Sequence, residues 1–196
     1  MIRKDLFLPP SGPRKKDPFV FLWAGRLEHV KGVDLLLEAV KSLRERTDKE
    51  FMLRLAGKGS KRDALERQAA SLGLSDRISF LGRISRKEIL MEMQGANCFI
   101  LPSRYEAFGV VLIEAMATGL PVIATRSGGP DFIVNTENGL LIEPGNANEL
   151  TKAMEMMMEN ISSYSSGDIR NQILLRFGDE AVMELYRQLF LQLLGE

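Results

Sequence analysis

Leu101–Asp131 reads LPSRYEAFGVVLIEAMATGLPVIATRSGGPD, and its punctuation decides the fold. Entered from Cys98-Phe99-Ile100, it begins as the end of a short apolar strand and passes into a polar loop, Ser103–Phe108. A helix opened by Gly109 follows. Its sequence, VVLIEAMA from Val110 to Ala117, is apolar on nearly every side, as expected of a buried helix. Pro121–Thr125 is a second apolar strand. The Gly128-Gly129-Pro130 turn then opens another helix, with proline suited to a first helical position.

The same alternation runs outward in both directions. Upstream, the strands FVFLWAG (19–25), FMLRLAG (51–57) and RISFLG (77–82) alternate with helical patterns at 33–46, 61–74 and 85–96. The last of these is marked by Ser85 as N-cap with Glu88 three residues later, a capping-box signature. Downstream come the strand GLLIEP (139–144), an amphipathic helix at 147–160 and a final helix at 178–194. The methionine run of the 147–160 helix reads as core packing. Six short apolar strands alternating with helices predict an α/β domain: a six-stranded parallel sheet, doubly wound, with helices on both faces. Residues 1–18 carry four prolines and a basic triplet, Arg14-Lys15-Lys16, without periodicity, and read as a linker or entry segment with solvated charges. The domain proper is expected at 19–196.

Composition narrows the function classes. Lys plus Arg and Asp plus Glu both number 26, so no global field recruits nucleic acid or an anionic membrane. One cysteine, Cys98 in an apolar strand, and one histidine, His29 in a loop, leave no credible metal cluster. No run approaches a transmembrane span and no signal-like segment opens the chain, which fits a cytoplasmic location.

In open parallel sheets, ligands bind at the carboxyl ends of the strands, and the distinctive residues all fall there. A helix N-terminus has free N–H groups and a positive dipole end, and so attracts phosphate. Glu106 and Glu114 bracket such a terminus. Carboxylates beside a phosphate repel it, by about 2 kcal/mol per charge pair at roughly 7 Å and an effective dielectric near 20. Both acids make sense if they bind hydroxyls attached to the phosphate, such as those of sugars. Arg26 and Lys31, at the turn after the first strand, are placed to converge on a phosphate, although two unrelated surface cations give the same pattern. Gly57-Lys58-Gly59 looks like a phosphate-cradling loop but lacks the rest of a P-loop. Gly128-Gly129 suits close backbone approach or a merely structural turn.

Glu106-Ala-Phe-Gly109, the seven residues between the two acids, then Ala115, Gly119, Pro121 and Gly128-Gly129-Pro130, resemble the donor-binding half of GT-B retaining glycosyltransferases. The likeness is to the family 4 type, also called glycosyl transferases group 1, and it runs from about Phe19 to the C-terminus. It implies a C-terminal, Rossmann-like domain that binds a UDP-, GDP- or ADP-sugar and needs neither a metal nor another cofactor. By the same resemblance, Arg26, Lys31 and Glu106 are catalytic. Gly25, Gly57, Arg83, Ile84, Phe108, Gly109, Val110 and Glu114 contact the donor, with Arg83-Ile84 at the nucleobase. An N-terminal acceptor domain, absent from this chain, is the implied partner, so the chain alone is expected to transfer little. The final helix then has an exposed LFLQLL face that favours self-association. The full-length enzyme is expected in the cytoplasm or at the inner face of a membrane. An epimerase or hydrolase of the same fold, or a non-catalytic nucleotide-binding module, are the rival classes.

Overall fold

The computed structural model describes residues 2–15 and 17–194. Lys16 of the basic triplet and the last two residues of the expected domain lie outside the described residues. The strands are β1 (Phe19–Arg26), β2 (Phe51–Lys58), β3 (Ile78–Gly82), β4 (Cys98–Leu101), β5 (Val122–Thr125) and β6 (Gly139–Ile142). All neighbours pair in parallel, in the order β3-β2-β1-β4-β5-β6. The chain winds outward from β1 to β3, crosses back to β4, and winds outward the other way. The sheet class and strand count read from the sequence are those observed. The crossover puts a topological switch between β1 and β4, where loops diverge and leave a crevice.

Side-chain alternation explains the continuous apolar runs. Phe19, Phe21 and Trp23 of β1 enter one core layer, while Val20, Leu22 and Ala24 enter the other. The first layer is covered by α1 (Val33–Arg44), α2 (Arg62–Ser71) and α6 (Ala147–Asn160). Of the methionine run, Met154, Met157 and Met158 are buried there as core packing requires, whereas Met156 is exposed. The second is covered by α3 (Arg86–Gly95), α4 (Val110–Ala117), α5 (Pro130–Ile133) and α7 (Ser166–Phe177). Each large apolar side chain fully removed from water contributes about 1.5–3 kcal/mol, so two such layers hold the sheet from both sides.

Two features depart from the sequence reading. Helix α7 was assigned to no element by periodicity. It starts in a run of serines and a glycine, which reads as turn, and only Ile169 and Ile173 are buried from it. The Ser165 hydroxyl accepts from Asp168 N and caps it. Residues 1–18, expected to be linker and not core, bury Ile2 and Phe7 in the second layer. Ile2 N donates to Phe177 O at 2.8 Å, and its carbonyl accepts from Asp179 N at 2.9 Å. Nor is Arg14 a solvated charge. Its guanidinium donates to Thr118 O (2.7 Å), Gly119 O (3.2 Å) and Ser166 Oγ (2.9 Å), supplying donors to the carbonyls that end α4. Burial pushes it down to about 10, which leaves it charged at neutral pH.

The last helix, α8 (Asp179–Leu194), buries none of its residues and exposes Leu185, Leu189, Phe190, Leu193 and Leu194. Among the described residues, no helix is long and apolar enough to cross a membrane.

Candidate functional site

The eleven residues that the resemblance assigns to catalysis or donor contact line one cleft of about 780 Å³ at the switch point. That volume is within the range of small-molecule sites. The β1–α1 connection delivers Arg26 and Lys31. Gly57 comes from the end of β2, Arg83 and Ile84 from the turn after β3, and Glu106, Phe108 and Gly109 from the β4–α4 loop. Val110 and Glu114 lie on α4 itself.

The floor of the cleft is the start of α4. Its N-cap, Gly109, is left-handed (φ 87°, ψ 44°) and no side chain caps the helix. The first N–H groups therefore remain available at a wall formed by Phe108, Gly109, Val110 and Val111. Beside this tip, Lys31 Nζ donates to Glu106 Oε2 at 2.6 Å, and both side chains are mostly buried (20% and 14% exposed). Ser103 Oγ adds a longer contact of 3.4 Å to the same oxygen. The backbone of Glu106 is fixed from behind: its N donates to Ser127 O (2.9 Å), and its carbonyl accepts from Gly129 N (2.8 Å).

Glu114, further along α4, is 23% exposed, and its carboxylate stands 3.7 Å from Arg86 Nη2. Burial raises the Glu114 carboxyl above its ordinary 4.5, and the nearby Arg86 charge pulls it part of the way back. Arg86 itself also lies over the Phe7 ring, 5.3 Å from its centroid. The sequence reading found the Ser85–Glu88 capping box, whose reciprocal bonds are present at 3.2 and 2.7 Å. It overlooked the arginine between them. The signal was there: a residue at the first position of a capped helix following a strand end faces the same crevice.

Gly128 and Gly129 do not line the cleft. They back it: Gly128 forms a parallel bridge with Glu106, and Gly129 N donates to the Glu106 carbonyl. Of the Gly57-Lys58-Gly59 loop, only Gly57 lines the cleft. A Cβ at Gly59 would stand 2.3 Å from Leu27 O, so close packing of neighbouring turns accounts for that glycine. His29 is exposed, as read, and contributes its carbonyl to the hydrogen bonding of the loop.

A helix tip, two cations and two acids around one crevice offer a grip for an anion flanked by acceptors for hydroxyls. The class so defined is a doubly wound α/β domain of the GT-B type with its cleft at the switch point. Residues 6–168 match the model of the family "Glycosyl transferases group 1", and the chain belongs to that family. The 2-deoxystreptamine N-acetyl-D-glucosaminyltransferase of Niallia circulans is 31% identical over 173 residues, spanning 86% of this chain and 44% of its own length. The lipopolysaccharide core biosynthesis glycosyltransferase LpsE of Rhizobium meliloti is 33% identical over 190 residues, spanning 95% and 52%. The chain thus spans about half the length of these curated relatives. Among solved structures, sucrose-phosphate synthase from Thermosynechococcus elongatus superposes with a TM-score of 0.84 at 31% identity, covering 96% of this chain and 51% of that one. Anabaena HepE in complex with UDP and glucose shares the fold, with a TM-score of 0.81 at 24% identity, covering 100% of this chain and 55% of that one.

Proposed function

We propose that this chain is the donor-binding, C-terminal domain of a retaining glycosyltransferase that moves a sugar from a nucleoside diphosphate sugar to an acceptor hydroxyl. The observation that carries the reading is the Lys31–Glu106 pair beside the uncapped tip of α4, with Glu114 further along the same helix. A phosphate site alone would gain nothing from two carboxylates. A diphosphate with a ribose on one side and a hexose on the other needs both.

In this reading Glu114 accepts hydrogen bonds from ribose hydroxyls and Glu106 from hydroxyls of the transferred sugar. Arg26, Lys31 and the N–H groups of Phe108–Val110 hold the diphosphate. Gly25 and Gly57 keep the strand ends low beneath it, and Arg83-Ile84 border the nucleobase. As the bond between the anomeric carbon and the leaving phosphate breaks, negative charge grows on that phosphate. Cations and helix dipole then bind the transition state more tightly than the ground state. The positive charge comes from the protein, so the scheme calls on no divalent metal. The acceptor would be held by a further domain, for which the relatives' greater length leaves room, and the exposed face of α8 would be covered by that domain or by a second copy. Support for a UDP-type donor comes from the UDP and glucose bound in the HepE structure.

Titration calorimetry with UDP, GDP and ADP tests the reading, with binding of at least one expected. Glu114→Gln is expected to weaken it by about 10- to 100-fold, the loss of charge-assisted hydrogen bonds of about 1.5–3 kcal/mol. The pH dependence adds a signature. Hydroxyl donors need the ionised carboxylate, so affinity is expected to fall as pH drops through the raised Glu114 value, above 4.5. Stability of the fold is expected to follow the opposite trend for this group. A raised folded value contributes stability that is present below the unfolded value and lost as pH rises through the folded one. Weaker binding without loss of stability therefore isolates the site. No binding of any nucleoside diphosphate would overturn the reading.

A further inference from the structure

We propose that Arg104 is a positioning residue whose forked contacts with Asp34 and the His29 carbonyl fasten the two halves of the cleft and set the Lys31–Glu106 spacing. The inference rests, for its ligand arm, on the donor-binding reading above.

The cleft is assembled from two segments remote in sequence, since Lys31 and Glu106 are 75 positions apart. Something must hold the β1–α1 turn against the β4–α4 loop. Arg104 Nη1 donates to Asp34 Oδ1 at 2.8 Å and to His29 O at 2.7 Å, and Nη2 donates to Asp34 Oδ2 at 2.7 Å. Its backbone N also donates to Val30 O at 2.8 Å. The guanidinium therefore spans both sides of the turn that carries Lys31, while its own backbone leads two residues on to Glu106. The turn is tight against the loop: a Cβ at Gly32 would stand 2.0 Å from Pro102 O. Arg104 does not line the cleft, so it acts through Lys31 and Glu106 and not on a ligand.

The fork explains the residue type. A planar guanidinium meets both carboxylate oxygens and the carbonyl together, whereas a lysine ammonium is a point charge that cannot hold that geometry. Both side chains are largely shielded, with exposures of 27% for Arg104 and 35% for Asp34. Burial raises the Asp34 carboxyl, and the Arg104 hydrogen bonds and charge more than offset this, leaving it below its ordinary 3.8. A misplacement of about 1 Å at a reacting group costs as much as 10²-fold, so a latch one turn from the site has leverage.

The test uses wild type, Arg104→Gln, Arg104→Lys and, as control, Arg187→Gln, which removes a comparable two-point pair with Glu184 on α8. Hydrogen exchange read at 28–34 and 102–108 is expected to quicken in Arg104→Gln, to a lesser degree in Arg104→Lys, and not in the control. Affinity for the nucleoside diphosphate that binds best of UDP, GDP and ADP is expected to drop about tenfold or more. Affinity for the matching monophosphate should change less, because it offers one phosphate fewer to Lys31 and the helix tip. Unchanged exchange at 102–108, or equal weakening of di- and monophosphate, overturns the latch. Should Arg104→Gln not fold, Arg104→Lys decides by the same two readouts. If wild type binds no nucleotide, the donor reading fails while the exchange arm still judges the latch.

Discussion

Lys31→Ala is expected to lower affinity for the nucleoside diphosphate by about 300- to 4,000-fold, more than removal of one contact explains. The direct loss is a charge-assisted hydrogen bond to phosphate, about 1.5–3 kcal/mol. The second loss is indirect. Lys31 Nζ is 2.6 Å from Glu106 Oε2, so the ammonium neutralises the carboxylate that it touches beside the diphosphate grip. Without it, Glu106 stands as a bare negative charge. At roughly 7 Å and an effective dielectric near 20, its repulsion of a phosphate charge is about 2 kcal/mol. The double variant Lys31→Ala/Glu106→Gln should therefore bind nucleoside diphosphate about tenfold or more tightly than Lys31→Ala alone, since about 1.4 kcal/mol is a factor of ten. Calorimetry on the four corners of this cycle measures the coupling. A double variant as weak as the single one would show that Glu106 carries no charge felt at the phosphate.

That cycle also shows what one-dimensional reading reaches. The strands were legible because all are bounded by polar turns and the central ones, β1, β4 and β5, are buried on both faces, so Phe19–Gly25 is apolar at every position while its neighbours are not. The cleft was legible as a set of residues because strand ends are recognisable and ligand loops follow them. The pairings within it were not. Lys31 was read as a phosphate cation and Glu106 as a sugar acceptor, and nothing in the spacing says that they touch. The crossover from β3 to β4 makes that contact, and the strand order that creates it has no local signature. Arg104 lay inside the most informative stretch, in the β4–α4 loop, yet its partner Asp34 is 70 positions away on α1. Ile2 and Phe7 were missed for a different reason: isolated apolar residues among prolines have no period to read, and only the surface left by α4 and α7 tells where they go.

Gly129 is where two readings of the sequence, close approach or tight turn, yield different expectations, and Gly129→Ala separates them. The residue has ordinary right-handed helical angles (φ −54°, ψ −41°), so an alanine there suffers no backbone strain of its own. Contact is the obstacle. A Cβ would stand 2.2 Å from Phe108 O and 2.3 Å from both Phe108 C and Cα. These are main-chain atoms, which cannot swing aside as a side-chain end does. Either the start of α5 or the Phe108-Gly109 segment must move, and the latter is the tip of α4. Because Gly129 N also donates to Glu106 O, the same displacement shifts Glu106. Forcing a methyl into packed structure costs about 1–3 kcal/mol, which for a domain of this size lowers Tm by roughly 2–4 °C per kcal/mol. Nucleotide affinity should fall further than that stability loss accounts for, through misplacement of the helix tip, by about tenfold to 10²-fold. Gly12→Ala, with nothing within 4 Å of its Cβ, is the neutral comparison and should stay within about 0.5 kcal/mol of wild type. An alanine at 129 that melts early yet binds nucleotide as tightly as wild type would mean that α5 yields and the tip does not. The turn would then be architectural, and the placement of Glu106 would rest on the Arg104 side of the cleft alone.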